Sequence, residues 1–124
     1  MSIDGREFDA HELRRQLLTE TSGDSIVYLT DFLLDEAAME RLAPALKGCK
    51  TIVCESQYRH ADRDLARRHC HMTSVQAAEL ARQTGAKELI LIHVSDRYRA
   101  GEWLEMLEEA RRIFPDSRFP EHWR

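Results

Sequence analysis

The chain has 124 residues, a length that fits one domain with a single modest core and leaves no room for two full domains. Its 18 Lys and Arg residues stand against 22 Asp and Glu residues, and the resulting net charge of −4 gives no overall argument for nucleic-acid binding. Hydrophobic residues make up 43%, which argues against disorder, and no apolar run approaches the ~20 residues of a membrane helix.

The cysteines and the N-terminal sequence bear on the compartment. The first residues have no apolar segment of the kind that signal peptides carry. Three cysteines, Cys49, Cys54 and Cys70, are an odd number without the spacing of a disulfide framework, so we expect a reducing cytoplasm. A zinc site built from these thiols and a histidine is conceivable, but the spacing is unusual for one and idle thiols are expected.

The first predicted elements are a helix and a strand. Asp9 and Glu12 form a capping box at the start of a helix. The run Ser25–Thr30 is typical of a short buried strand that ends at Asp31. The apolar stripe of the helix consists of Ala10, Leu13 and Leu17.

A second helix and strand follow. Asp35 can cap the helix, Pro44 should kink or split it, and Gly48 suits its end. Its apolar face consists of Ala38, Leu42 and Ala45. The next strand, Thr51–Cys54, ends at Glu55.

The polar residues 59–69 are expected to be irregular or to form one loose turn. Thr73 and Gln76 form a capping box for a third helix, which should end near Gly85. This helix carries the apolar stripe Val75, Ala78 and Ala81.

The last predicted elements are the strand Glu88–Ile92, which ends at His93, and a helix that stops at Pro115. That helix buries the stripe Trp103, Leu107, Ala110 and Phe114, whose aromatic members we assign to the core. Strands that alternate with helices imply crossover connections. The sequence therefore predicts a single α/β domain over residues 1–124, with helices packed on a mostly parallel sheet.

Three of the predicted strands end at side chains that bear chemistry. Asp31, Glu55 and His93 follow the three apolar runs, and ligands bind outside the carboxyl ends of parallel strands. His71 lies just before a capped helix and can join them. Aspartate and histidine are suitable ligands for zinc or manganese, and a glutamate can orient an imidazole. Each of these residues, taken singly, is equally compatible with a helix cap, a turn or a simple hydrogen bond.

Four short motifs carry a resemblance to a known family. They are Tyr28–Phe32 (YLTDF), Cys54–Tyr58 (CESQY), His71–Thr73 (HMT) and Ile92–Tyr98 (IHVSDRY). In this order and at these gaps they resemble the C-terminal half of ribonuclease Z, and more broadly the metallo-β-lactamase-fold hydrolases. The resemblance runs from about Ile3 to Pro115 and implies half of an αββα sandwich.

The resemblance also implies a role for each matching residue. Asp31 matches the carboxylate that bridges two metal ions, zinc or manganese, and His93 matches a ligand of one of them. His71 matches the histidine of a His-Ser-Thr motif, which implies a general acid, and Glu55 matches the glutamate that holds that histidine. Arg97 is the candidate phosphate contact.

Two features depart from the family pattern. Cys54 occupies the position of the first histidine in a His-Glu-Ala-Thr motif, and Ser56 and Gln57 replace its Ala-Thr. The metal loop His-x-His-x-Asp-His is absent from the sequence, since the six histidines are His11, His60, His69, His71, His93 and His122. The chain is thus expected to supply only part of a two-metal site, and to be inactive until a second copy or a separate N-terminal half completes it.

The leading hypothesis is therefore metal-assisted hydrolysis of a phosphodiester, with RNA as substrate and tRNA 3′-end processing as the specific case. The alternative is a non-catalytic α/β module, or a truncated remnant, that pairs with itself or a partner through an exposed apolar sheet face. A basic stretch that includes Arg63, Arg67 and Arg68 could contact RNA phosphates, although a solvated loop is favoured.

Overall fold

The computed structural model describes residues 2–19 and 23–123, and in these ranges no helix is long and apolar enough to cross a membrane. The helices are α1 (Ala10–Leu17), α2 (Glu36–Ala45), α3 (Arg63–Arg68), α4 (Ser74–Thr84) and α5 (Ala100–Ile113). The strands are β1 (Ser2–Ile3), β2 (Arg6–Glu7), β3 (Ile26–Leu29), β4 (Thr51–Glu55), β5 (Glu88–Ile92) and β6 (Ser117–Arg118).

The main sheet has four parallel strands in the order β3-β4-β5-β6, which is also their order along the chain. Each crossover contains a helix, as parallel pairing requires. The predicted α/β architecture is confirmed. The sequence did not predict β6, because two residues of polar sequence carry no strand periodicity, nor the small antiparallel pair β1-β2.

The core lies between one face of this sheet and the helices α2, α4 and α5. Residues that share a register position share a face, so the alternate residues of β3, β4 and β5 point into this core. They are Val27, Leu29, Ile52, Cys54, Leu89 and Leu91. Small residues on α4, among them Ala77 and Ala81, are fully buried and let the helix approach the sheet closely.

The opposite face of the sheet carries apolar side chains that are partly or largely exposed. Ile26 and Tyr28 on the edge strand β3 are 72% and 63% exposed. Val53 and Ile90 continue the row at the register position of Tyr28 and are partly exposed. The prediction of a buried first strand was therefore wrong, because helices cover the sheet on one side only.

Three local predictions need correction. Residues 59–69 are not irregular: a 3₁₀ turn over His60–Asp62 leads into α3, which is anchored by the buried Ala66. No residue of α1 is buried within the described residues: of its apolar stripe, Ala10 and Leu17 are exposed and Leu13 is only partly buried. Pro44 does not split α2, because it lies in the last turn, one residue before the end of the helix.

The predicted ends of α4 are confirmed. Thr73 and Gln76 form a reciprocal capping box, and Gly85 ends the helix in the left-handed conformation, with φ of 70°. These two signals fix where α4 begins and therefore where the preceding loop places His71. Gln76 also donates to the carbonyl of Leu34, which ties α4 to the segment that follows β3.

Candidate metal centre

The carboxyl edge of the sheet brings together the polar residues that follow its first three strands. Asp31 follows β3 closely, Glu55 is the last residue of β4, and His93 comes directly after β5. Both Asp31 and His93 have a left-handed backbone, each with φ of 55°. This conformation is strained for residues other than glycine and is concentrated at functional sites.

Glu55 connects the loops at this edge of the sheet through hydrogen bonds. It is fully buried, yet both of its carboxylate oxygens accept hydrogen bonds. Its Oε1 accepts from the backbone N–H of Phe32 at 3.1 Å, and its Oε2 lies 2.7 Å from Nδ1 of His71. A carboxylate in its ionised form can only accept, and in that form the contact places the proton on Nδ1 of His71 and leaves Nε2 as the second nitrogen of the ring. Glu55 thus holds both His71 and the loop that carries Asp31.

Asp31, His71 and His93 form one cluster. Each offers a ligand atom, and these three atoms lie within 4.8 Å of one another. The rings of His71 and His93 meet edge to face with their centroids 5.4 Å apart. Within residues 2–19 and 23–123 this is the one group of three or more such side chains that could hold a metal ion.

The donor chemistry of this cluster fits a divalent cation. Nδ1 of His93 is buried and has no hydrogen-bond partner among the described residues. It lies 3.8 Å from a carboxylate oxygen of Asp31 and 3.8 Å from one of Glu55. Two imidazoles and an exposed carboxylate match the ligands of zinc, and the Glu55–His71 contact matches the carboxylate–histidine pairs that orient metal ligands.

The remaining predicted site residue, Arg97, lies close to the cluster but not in it. Its guanidinium is 5.6 Å from the ring centroid of Tyr58, and that ring is 6.3 Å from the ring of His71. Tyr58 also stacks with His69. Arg97 is therefore exposed beside the cluster, at a place from which a long flexible side chain can reach a ligand there.

Two contributors to the site are not predictable from the sequence. The backbone amide of Phe32 has no sequence signature, because every residue except proline has one. The buried Tyr58, which separates Arg97 from His71, belongs to the CESQY motif, but the motif by itself indicates no role for it. Neither its burial nor its neighbours follow from the local pattern.

The cysteines take no part in a metal-binding cluster of the described residues. Cys49 and Cys54 are buried and Cys70 is exposed. Burial, together with the negative charge of Glu55, raises the pKa of the Cys54 thiol far above its usual value, so the thiol stays protonated. Its Sγ lies 3.4 Å from the sulfur of Met72, in the core beneath the cluster.

Comparison with known proteins gives the family context. Residues 12–94 match the model of a beta-lactamase superfamily domain. The chain is 53% identical over 123 residues to a ribonuclease Z of Deinococcus radiodurans, covering 99% of this chain and 37% of that protein. It is 36% identical over 115 residues to a ribonuclease Z of Geobacillus kaustophilus, covering 93% of this chain and 34% of that protein.

A solved structure is also similar. The metallo-beta-lactamase fold protein YhfI from Bacillus subtilis superposes with a TM-score of 0.63 and 20% identity, over 76% of this chain and 35% of that one. At this identity the likeness concerns the fold alone. The chain spans about a third of the length of the curated relatives it matches.

Proposed function

The chain belongs to the metallo-β-lactamase superfamily, a family of hydrolases, and on that basis we propose that it is the C-terminal, metal-binding part of a ribonuclease Z-like phosphodiesterase. The family fold implies a bound metal, usually zinc. The observation that carries the proposal is the cluster of Asp31, His71 and His93 at the sheet edge, with His71 held by a buried carboxylate. We assign Asp31 and His93 as metal ligands, for zinc or manganese.

A divalent cation held there supplies Lewis acidity, which polarises a phosphodiester and lowers the pKa of water toward neutrality. The protein side of the chemistry rests on Glu55 and His71. Glu55 accepts a hydrogen bond from Nδ1–H of His71, which fixes the orientation of the ring. His71 can then donate a proton from Nε2 to the leaving oxygen, as a general acid does.

Arg97 is proposed to contact a non-bridging oxygen of the substrate phosphate. Guanidinium groups bind phosphate through two parallel hydrogen bonds, and the side chain of Arg97 is exposed and lies over the ring of Tyr58, a neighbour of His71. The curated relatives are named ribonuclease Z, so we propose RNA as the substrate, tRNA 3′-end processing as the reaction and the cytoplasm as its place.

The site needs more ligands than this chain provides. Asp31 and His93 are two ligands, whereas a catalytic zinc normally has three from the protein, and a two-metal site needs more. We propose that a second copy, or a polypeptide that supplies the N-terminal half of the fold, completes the centre. Activity is then expected from the assembly and not from this chain by itself.

A second candidate function is favoured by the open face of the sheet. Ile26, Tyr28, Val53 and Ile90 form an apolar row that the helices leave uncovered. An exposed apolar row of this kind is typical of an interaction surface. A non-catalytic module that assembles through this face would keep the surface and need no metal.

Metal content distinguishes the two functions. Mass spectrometry of the purified chain after equilibration with zinc or manganese should show close to one ion per chain. The double variant Asp31→Ala, His93→Ala should lose it, because both assigned ligands are gone. A variant at the far end of the sheet, Glu88→Ala, removes another carboxylate and should keep the metal. Equal metal content in all three proteins would reject Asp31 and His93 as ligands. No metal in the wild type would mean that the missing ligands are indispensable, and would favour the assembly module for this chain.

A further inference from the structure

Next to His71 lies a cavity whose other lining residues do not belong to the candidate metal-binding cluster. It has a volume of about 420 Å³ and lies between α3 and the start of α2. This volume falls in the range of sites that hold small molecules or single residues of a larger ligand. His71 forms part of the lining, so whatever enters the cavity lies directly beside the candidate proton donor.

One wall of the cavity is basic. Arg63 and Arg67 are four residues apart on α3, hence on the same face of the helix, and both line the cavity. Both are exposed, and within residues 2–19 and 23–123 neither guanidinium makes an ion pair or a hydrogen bond. Arg59, by contrast, is held by Glu102 and Glu105 and is not available. Two free guanidinium groups one turn apart are suited to a phosphate.

The opposite wall is acidic. Asp35 and Glu36, at the start of α2, line the cavity across from α3, and Asp64 borders it as well. Asp35 already accepts a hydrogen bond from the backbone N–H of Ala38, so part of its negative charge is compensated at the helix N-terminus. Glu36 is exposed and has no such bond within the described residues. Carboxylates next to a phosphate site disfavour inorganic phosphate, but they accept hydrogen bonds from the amino groups of nucleobases.

We propose that this cavity binds one nucleotide of an RNA strand, next to the phosphodiester that His71 faces. The phosphate of that nucleotide contacts Arg63 and Arg67, and an exocyclic amino group of its base donates to Glu36. This inference rests on the proposed function, because it extends the site to the residue that flanks the cleaved bond. It also assigns a preference: a cytosine, which has an amino group at position 4, binds better than a uracil, which has a carbonyl oxygen there.

The test compares labelled oligocytidylate and oligouridylate of about eight nucleotides by fluorescence anisotropy. The titrations are done with the full chain in EDTA, so that the result does not depend on the metal. The wild type should bind oligocytidylate more tightly. Glu36→Gln should remove most of that preference, because an amide can present its own N–H₂ group to the uracil oxygen.

The double variant Arg63→Gln, Arg67→Gln should weaken the binding of both oligonucleotides by roughly tenfold, since each substitution removes a charge-assisted hydrogen bond. The slope of log affinity against log salt should fall by about 0.7 for each phosphate that is no longer neutralised. The matched control is Arg41→Gln, Arg112→Gln, which removes the same charge from exposed positions outside the cavity and should leave affinity within about twofold of the wild type, allowing for long-range electrostatics.

Three results would overturn the inference. The first is an equal loss of affinity in the matched control, which would mean general charge attraction. The second is the absence of binding up to roughly 10⁻⁴ M protein, the weak end of non-specific association. The third is a lack of effect of the cavity variants; if metal binding is then normal, the nucleotide site is rejected and the metal centre stays intact. Loss of metal with retained, cavity-dependent RNA binding would reject the metal centre instead.

Discussion

Glu55 is the residue on which the geometry of the candidate centre depends most. A fully buried carboxylate is costly unless each oxygen finds a donor, and here one oxygen takes the amide of Phe32 while the other takes Nδ1 of His71. The two donors belong to different loops, the one after β3 and the one before α4. A single side chain therefore sets the distance between the loop of Asp31 and the ring of His71.

Replacing Glu55 with glutamine tests this role. Glutamine has one acceptor and one donor group, so it can satisfy either Phe32 or the present tautomer of His71, but not both. If the amide N–H₂ faces His71, the proton of the ring must move to Nε2, and if it faces Phe32, the amide on the loop of Asp31 loses its acceptor; either orientation disturbs the geometry around the assigned ligands. Because partners of metal ligands typically contribute a factor of 10–100, we expect zinc affinity to fall by about 10–100-fold in competition with a chromophoric chelator.

The control for this variant is Glu88→Gln. Glu88 is also a strand carboxylate on the same face of the sheet, but it bonds Thr51 and Arg118 at the opposite end. The variant Glu88→Gln should leave zinc affinity unchanged, and should change the free energy of unfolding about as much as Glu55→Gln does. Equal losses of affinity in the two variants would show that the effect is one of general stability and not of Glu55.

At the scale of single residues the sequence predicts which side chains meet at the sheet edge, but not the groups that support them. Asp31, Glu55 and His93 are predictable because parallel strands bring their carboxyl ends to one edge, which is a consequence of topology. The amide of Phe32 is not, because backbone groups carry no identity in a sequence. The unpaired Nδ1 of His93 depends on the ring orientation, which no spacing rule gives.

Among the helices and strands, too, some features are predictable from the sequence and others are not. The capping box at Thr73 and the helix end near Gly85 are predicted correctly, because caps are local chemistry that operates within one turn. The helix α3 is not predicted, because its sequence is almost entirely polar and its formation depends on Ala66 and Leu65 packing against the rest of the molecule. The strand β6 depends entirely on its pairing with β5.

A comparison of two glycines, Gly85 and Gly101, tests whether the end of α4 is set by backbone conformation. Gly85 has φ of 70° and Gly101, inside α5, does not have a positive φ; an added Cβ meets no atom within 4 Å at either site. Gly85→Ala should therefore cost about 1–2 kcal/mol of unfolding free energy, the penalty of a left-handed alanine. Gly101→Ala should instead stabilise by about 0.4–1 kcal/mol, because it restricts the unfolded chain.

Urea denaturation at one fixed protein concentration measures both changes in the free energy of unfolding. The two variants can be compared directly because the added methyl group is the same in both. Opposite signs are the expected outcome. A loss of stability at Gly101 as large as that at Gly85 would mean that the added methyl group, rather than the sign of φ, determines the effect.

The whole molecule has a core on one side of its sheet and an apolar row on the other. Because Ile26 and Tyr28 are 72% and 63% exposed on an edge strand, their burial in an interface would contribute about 1.5–3 kcal/mol each. A parallel sheet is normally covered on both faces, so the fold itself requires a second layer here. We therefore expect the purified chain to associate at micromolar concentrations.

Sedimentation velocity over a range of concentrations checks this expectation. The variant Ile26→Lys, Tyr28→Lys should shift the protein toward the monomer, because lysines on an exposed strand oppose both apolar contact and edge pairing. The control Leu104→Lys alters an apolar residue on α5 that is also 63% exposed but lies on a helix outside the open face, and it should leave association unchanged. A wild type that stays monomeric throughout would contradict self-association through this face.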